Sequence, residues 1–397
     1  MRGQFWKRLA VFALVAGMLF TLAPMGGAQG TTAGETAGAE LLCLNVGKAD
    51  CLLLRVQGKA FLIDTGYAYN YGLLTTALAR FGVERLEAVF LTHPHNDHEG
   101  GLSLLAASDM PVGAWYAPAL YFDVKPQKHA LVVAAALRGE EVTWLNAGDT
   151  IPISDTAALH VLGPVTLSDE NENNNSLVLH VQTPDGDMLL AGDMKLAEEY
   201  TLLKSGVVPQ CAVLKAGHHG DGGASGDSFV RAVMPKLAVI STSTAEEPDT
   251  PDAAVLARFD RYGVRTIVTQ DTADGVLVTL RGGEISAQDI AFDKPEAAKA
   301  TLVYDEAGAT VTLHNTGAAP LSLAGCMLYA VRGNNAFLLP EGTLAPGGQY
   351  AVGARETAGA DATWDIKRLL NKSKWDEMVL YDAFGREIAR TDNGKIE

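Results

Sequence analysis

Short apolar runs, each closed by a glycine or a polar cluster, recur along the chain from residue 41 onward. Residues 41–46, 51–56 and 61–63 are such runs, rich in Leu, Val and Ile and too short for stable helices, so they predict strands. Over 73–81 the apolar positions return at helical spacing, and 86–91 reverts to a strand run. The same reading predicts helices over 101–107, 127–138, 197–204 and 253–261. It predicts strands over 159–162, 177–182, 188–191, 212–215, 237–241 and 266–269. Strands alternating with helices imply a layered α/β domain over 41–290.

The pattern changes at 291–299, where Lys294, Pro295 and a run of alanines mark a linker. Beyond it no helical period appears before Ile366. Alternating runs at 302–304, 310–313, 328–331, 350–352 and 378–381 are separated by turn residues such as Pro346, Gly347 and Gly348. Residues 300–397 therefore predict a small all-β sandwich.

Residues 1–28 carry the pattern of an export signal: basic Arg2, Lys7 and Arg8, an apolar stretch over 9–22, and Gly26, Gly27 and Ala28 at the cleavage point. The apolar stretch is short for a span of about 20 residues, and no later segment is apolar enough. The expectation is a secreted protein with a mobile lead-in over 29–40, membrane-anchored only if the signal stays uncleaved. Loss of the signal takes the formal net charge from −16 to −19 by removing Arg2, Lys7 and Arg8. So acidic a chain is not a tight nonspecific nucleic-acid binder, because that affinity comes largely from Lys and Arg on phosphates. A metal centre that cleaves phosphodiesters stays open, since the ions bring their own positive charge. Cys43, Cys51, Cys211 and Cys326 have no ligand spacing. Cys43 and Cys51 flank a hairpin and can either pair or fill the core, with core filling favoured.

The chemistry concentrates directly after the strand run at 86–91. Thr92, His93, Pro94, His95, Asn96, Asp97, His98, Glu99, Gly100 and Gly101 place three imidazoles and a carboxylate within six positions. Like titratable groups crowded together cost free energy unless a cation compensates them, and imidazole with carboxylate is a donor set for Zn²⁺ and similar ions. Three further apolar runs end in polar groups: Asp64 after Ile63, Asp193 after Gly192, and the pair His218 and His219 after Gly217. Strands that each deliver a polar side chain at their end build a site at one edge of a sheet.

In this order the motifs resemble the metallo-β-lactamase-fold hydrolases, and their wording is similar to the ComEC-type competence branch. The resemblance rests on Val46 to Cys51, Asp64-Thr65-Gly66, Thr92 to Gly101, Asn174-Asn175-Ser176-Leu177-Val178-Leu179, Leu190 to Asp193 and Leu214 to Gly220. It implies a four-layer αββα sandwich holding two divalent ions, zinc or alternatively manganese. By resemblance His93 and His95 bind the first ion, Asp97 and His98 the second, Asp193 bridges them, and His218 or His219 completes the second site. The additional first-site histidine found in many members has no counterpart: His129, His160 and His180 do not fall in a fitting loop, and Asn173, Asn174 and Asn175 occupy the place instead. The C-terminal region resembles a lamin-tail domain, an immunoglobulin-like module expected to touch an extracellular partner or polymer. The resemblance is carried by Val311 to Gly317, Leu321 to Cys326, Leu344 to Gly348 and Leu380 to Gly385.

The function these readings imply is hydrolysis by a metal-activated water, with a small-molecule or nucleic-acid phosphodiester as substrate. Asp97 and Asp193 would steer the water as well as hold metal. Asp64 would orient a ligand histidine or cap a turn, and Lys48 and Lys215 would either meet a substrate anion or stay solvated at their strand ends. The rivals are a β-lactam or ester hydrolase and a non-catalytic secreted binding protein with a structural metal centre. Thr250-Pro251 stands where the branch has a histidine before proline, which weakens the transfer of substrate more than of metal binding.

Overall fold

The computed structural model describes residues 38–355 and 357–395. The expected export signal and nearly all of the lead-in lie outside the described residues. Six strands open the first sheet: β1 (Ala39–Leu44), β2 (Leu52–Val56), β3 (Lys59–Ile63), β4 (Ala88–Phe90), β5 (Trp115–Pro118) and β6 (Val142–Leu145). The chain then crosses to a second sheet of β7 (Thr150–Pro152), β8 (Ala158–Gly163), β9 (Val178–Gln182), β10 (Met188–Leu190), β11 (Val213–Lys215), β12 (Leu237–Ile240) and β13 (Arg265–Val268). A hairpin, β14 (Gly275–Arg281) and β15 (Glu284–Ile290), returns to the first sheet and pairs with β1. The resulting orders are β15-β14-β1-β2-β3-β4-β5-β6 and β13-β12-β11-β10-β9-β8-β7.

Why two sheets stack is visible within β1. Leu41 and Cys43 face a core shared with Leu159, Leu179, Leu190 and Val213 of the second sheet. Leu42 and Leu44 point the other way, onto α1 (Tyr71–Arg80), α3 (Leu102–Ala107) and α4 (Ala130–Leu137). A strand apolar at every position is buried on both faces, and each fully buried leucine contributes roughly 1.5–3 kcal/mol. The second sheet buries its outer face under α5 (Leu196–Ser205), α6 (Asp227–Val233) and α7 (Ala253–Arg261), through Leu202, Phe229, Val230 and Phe259. The architecture is the expected αββα sandwich. Strands β3 to β6 run parallel, as do β10 to β13, so their carboxyl ends line up along one edge.

The strand run at 86–91 is regular only over Ala88–Phe90. The predicted helix over 101–107 begins one turn earlier, as α2 (Asn96–Glu99) inside the histidine motif. The alternative of a Cys43–Cys51 bridge is overturned: all four cysteines are free and buried, and these two face opposite cores. Burial pushes the Cys43 thiol up to about 12, so both act as small apolar residues.

No strand or helix occupies 291–299. From Ala300 the chain is all β: two four-stranded, mainly antiparallel sheets and a two-stranded ribbon enclose Leu302, Val311, Leu313, Leu328, Trp364, Met378 and Leu380. Among the described residues no helix is long and apolar enough to cross a membrane.

Candidate metal centre

The site forms where the parallel strands of both sheets end. Asp64 follows β3, the histidine motif follows β4, Asp193 follows β10 and the histidine pair follows β11. Side chains that enter from separate strand ends converge on Asp193, which is 1% exposed and donates its backbone N–H to Ser176 Oγ at 3.1 Å.

Four imidazole Nε2 atoms surround its carboxylate: His98 at 3.3 Å, His219 at 3.4 Å, His93 at 3.7 Å and His218 at 3.8 Å. Asp97 Oδ2 lies 3.5 Å from His219 Nε2 and 4.0 Å from His98 Nε2. One ligand atom each from Asp97, His98, Asp193 and His219 fits within a sphere of mutual separations under 4.8 Å. The first set is more open: His93 Nε2 is 2.9 Å from His95 Nδ1, and His95 Nε2 faces Asp123 Oδ2 at 3.9 Å.

The rings are held from behind. Asp64, fully buried at φ +59°, accepts from Thr92 N and Thr92 Oγ1, each at 2.7 Å, and from His98 Nδ1, also at 2.7 Å. Since the Thr92 hydroxyl gives its proton to Asp64, its lone pair accepts from His93 Nδ1 at 3.1 Å. His219 Nδ1 donates to Ser241 O at 2.8 Å. With Nδ1 protonated, the Nε2 lone pairs of His93, His98 and His219 are aimed inward, the arrangement in which a ligand histidine has its other nitrogen fixed. One carboxylate, Asp64, thereby fixes a ring on each side of the centre.

Two adjacent residues on an extended strand point to opposite faces, yet His218 and His219 both face Asp193. Both sit in the left-handed region, at φ +45° and +54°, which is uncommon for non-glycine residues and recurs at functional sites.

The electrostatics match a cation site. Burial opposes ionisation of Asp193, but His219 and His98 outweigh it and hold the carboxyl well below its usual range. Burial likewise opposes the charged form of His219, and Asp193 overrides it, raising the imidazole to about 9. Burial, reinforced by His98, keeps His93 neutral. Yet His98 Nε2, His219 Nε2 and Asp193 Oδ1 are buried without an aligned hydrogen-bond partner. Buried polar atoms left so are costly, and a divalent ion is a partner that suits all three. The residues therefore fit the metal that the motif calls for.

Of the residues singled out in the sequence, His93, His95, Asp97, His98, Asp193, His218 and His219 gather at the centre, with Asp64 behind it and Lys48 at its edge, where Nζ meets Asp97 Oδ2 at 3.0 Å. Asn173 Nδ2 contacts His218 Nε2 at 3.0 Å. Asn174 and Asn175 do not reach the centre: Asn174 accepts from Lys195 N, and Asn175 closes a loop onto Ser168. The expectation that Lys215 meets a substrate anion is overturned as well. It is fully buried and paired with Asp50 at 2.9 Å, because the last residue of β11 faces inward. His129 meets Tyr121 and Trp144 edge-on, His180 bonds Asp187 and His160 bonds Gln182. The sequence reading missed Thr92, Asp50, Asp123, Asp221 and Lys195. The first two lie inside motifs already noted. Lys195 Nζ and His218 Nδ1 both face Asp221 Oδ1, at 3.3 and 3.4 Å, contacts that only the folded chain reveals.

The chain is similar to ComE operon protein 3 of Bacillus subtilis (strain 168), 27% identical over 254 residues, covering 58% of this chain and 32% of that protein. It is similar also to competence protein ComA of Neisseria gonorrhoeae, 28% identical over 249 residues, covering 62% of this chain and 33% of the relative. The chain thus spans about a third of the length of these relatives. Among solved structures, Tm1679, a metal-dependent hydrolase of the beta-lactamase superfamily, is 14% identical with a TM-score of 0.38, covering 58% of this chain and 95% of that one. The family model of the metallo-beta-lactamase superfamily matches residues 44–244, which hold the whole constellation, and this chain belongs to that superfamily.

Proposed function

We propose that the protein is a dinuclear metal-dependent phosphodiesterase, exported from the cell that makes it, acting on nucleic acid or a nucleotide-like diester. The observation that carries this reading is the ring of four Nε2 atoms, 3.3 to 3.8 Å from the Asp193 carboxylate. In this reading Asp97, His98 and His219 would hold one ion and His93, His95 and His218 the other, with the Asp193 carboxylate, faced by four of these rings, available to both. Bound there, divalent ions supply Lewis acidity and lower the pKa of water toward about 7.

The chain's own groups do the rest. Asp97 and Asp193 accept hydrogen bonds from the attacking water and set its direction. Burial disfavours the Lys48 ammonium, but Asp97 reverses the balance and keeps it charged, so it is placed to meet a phosphoryl oxygen. Lys195 stands at the His218 side with its own positive charge. A diester, with one negative charge, suits a centre flanked by two cations. The names of two relatives, competence protein ComA of Neisseria gonorrhoeae and recombination protein 2 of Haemophilus influenzae, favour the same class.

The test is full-length protein loaded with Zn²⁺ or Mn²⁺, its metal content measured, and assayed on bis-p-nitrophenyl phosphate, single-stranded DNA and nitrocefin. Turnover of the first two, lost in Asp97→Ala, is expected. Protein holding two ions that cleaves neither diester refutes the proposal.

A further inference from the structure

Four tyrosines form a continuous stack across the junction of the two domains. Tyr67 lies on Tyr69 with ring centroids 5.1 Å apart and planes 12° from parallel. Tyr69 lies in turn on Tyr381 at 5.2 Å, also at 12°, and meets the edge of Tyr329 at 5.3 Å. The first two belong to the segment that follows Asp64, the last two to the C-terminal sandwich. The Tyr67 end of the row lies on the metal-centre side, since Thr65 and Tyr67 pack against His98 and Gly100 of the histidine motif; burial, then the charges of Asp97 and Glu246, suppress ionisation of the Tyr67 hydroxyl. Tyr329 is buried, whereas Tyr67, Tyr69 and Tyr381 are each half-buried.

The stack is held rigidly. The Tyr67 backbone lies against Gly100 of the histidine motif so closely that a methyl group there would stand 2.7 Å from Tyr67 Cα. At Gly72 a methyl would stand 2.6 Å from Gly385 N, across the domain junction. Tyr67 N–H is fixed by Asn70 Oδ1 at 2.9 Å, and Thr65 N–H by the His98 carbonyl at 2.7 Å. The end ring of the row, Tyr67, is half-buried, with three rings behind it.

We propose that Tyr67 is a stacking platform for an aromatic ring of the substrate, a nucleobase in the natural diester, and that the C-terminal domain supplies its backing. This rests on the phosphodiesterase reading and narrows it to substrates with a planar group next to the scissile phosphate. Stacking of bases on aromatic side chains tolerates any sequence, because every base has a π-face. The platform therefore predicts discrimination against abasic substrate rather than preference among bases.

The experiment compares metal-loaded wild type, Tyr67→Ala, Tyr67→Phe and Tyr69→Ala in the full chain. The substrates are a single-stranded oligonucleotide and an abasic one of equal length, with KM and kcat measured separately and metal content as control. Tyr67→Ala is expected to raise KM for the base-bearing strand by about tenfold, at the low end of what one stacked base contributes, and to leave the abasic strand unchanged. Tyr67→Phe keeps the wild-type KM, and Tyr69→Ala, which removes the backing, shifts KM in the same direction. An equal change on both strands, or a lowered Tm with no change in KM, makes Tyr67 a packing residue and overturns the proposal. Binding of the two strands is read in parallel by fluorescence anisotropy. A chain that cleaves neither but prefers the base-bearing strand through Tyr67 refutes the hydrolase reading alone, while loss of that preference from wild type refutes the platform.

Discussion

Asp64→Asn is the sharpest test of how the centre is held, because it changes one buried atom and keeps the shape. The native carboxylate accepts three hydrogen bonds of 2.7 Å, from Thr92 N, Thr92 Oγ1 and His98 Nδ1. In the amide, Oδ1 can still accept from Thr92 N, but the Nδ2 group that replaces Oδ2 donates. It then faces His98 Nδ1, which must give up its proton and accept. The proton moves to Nε2, the nitrogen 3.3 Å from Asp193, and the lone pair aimed at the metal is lost. Thr92 Oγ1 also loses its acceptor, so its hold on His93 Nδ1 loosens. Removal of such an orienting partner typically costs about 10–100-fold in metal affinity, or about 1.4–2.7 kcal/mol. Both histidines are affected, so the upper end is expected. Stability of the metal-free chain should fall less, by about 1–2 kcal/mol, since a neutral amide is easier to bury than a carboxylate. The assay is competition with a chromophoric chelator at neutral pH, beside thermal unfolding without metal. An Asp64→Asn protein that holds two ions with wild-type affinity would show that this carboxylate does not set the tautomer of His98, and the account of the site would be wrong.

Three other outcomes follow from the same geometry. Breaking the buried Lys215–Asp50 pair by Lys215→Ala should destabilise the chain by about 3–5 kcal/mol; an unchanged Tm in chemical or thermal unfolding would contradict the pairing. Without metal, the proton held by His219 stabilises the fold below about 6.5, and that contribution is lost as pH rises through about 9. Metal must displace the same proton, so apparent affinity should rise with pH across this window and level off above it, with proton release on binding measurable by calorimetry in buffers of different ionisation enthalpy. Finally, His218→Gly should be more stable than His218→Ala by about 1 kcal/mol in metal-free unfolding, because only glycine is at ease at φ +45°. Equal stabilities would mean that the left-handed turn carries no strain.

The ligands were legible because each lies at the end of an apolar run, and several share one short motif. Short uninterrupted apolar runs also marked most strands of both layers, since a strand buried on two faces is apolar at successive positions. Less visible were β5, β6 and the hairpin β14–β15. Strand β15 is mostly polar because it lies at the sheet edge and has no fully buried residue. Its partner β14 joins β1, a pairing that nothing local encodes. Lys215 was misjudged for a related reason. A lysine that closes a strand reads as solvated unless the acid facing it is known, and Asp50 comes from a distant loop.

The histidine pair shows why spacing alone left the ligand question open. On a regular strand one of two neighbours must point away, so sequence logic admits a single ligand from His218 and His219. The chain escapes that rule by placing both residues in a conformation that side chains disfavour, and such strain persists only where the surroundings over-determine it. Here they do: Ser241 anchors His219, Asn173 meets His218, and Gly217 and Gly220 bracket the turn. In the proposed reading, the histidine missing from the family pattern is answered by the second imidazole next door, whose Nε2 sits 3.8 Å from Asp193. On that reading, what differs from the family pattern is where along the chain the first-site ring is supplied.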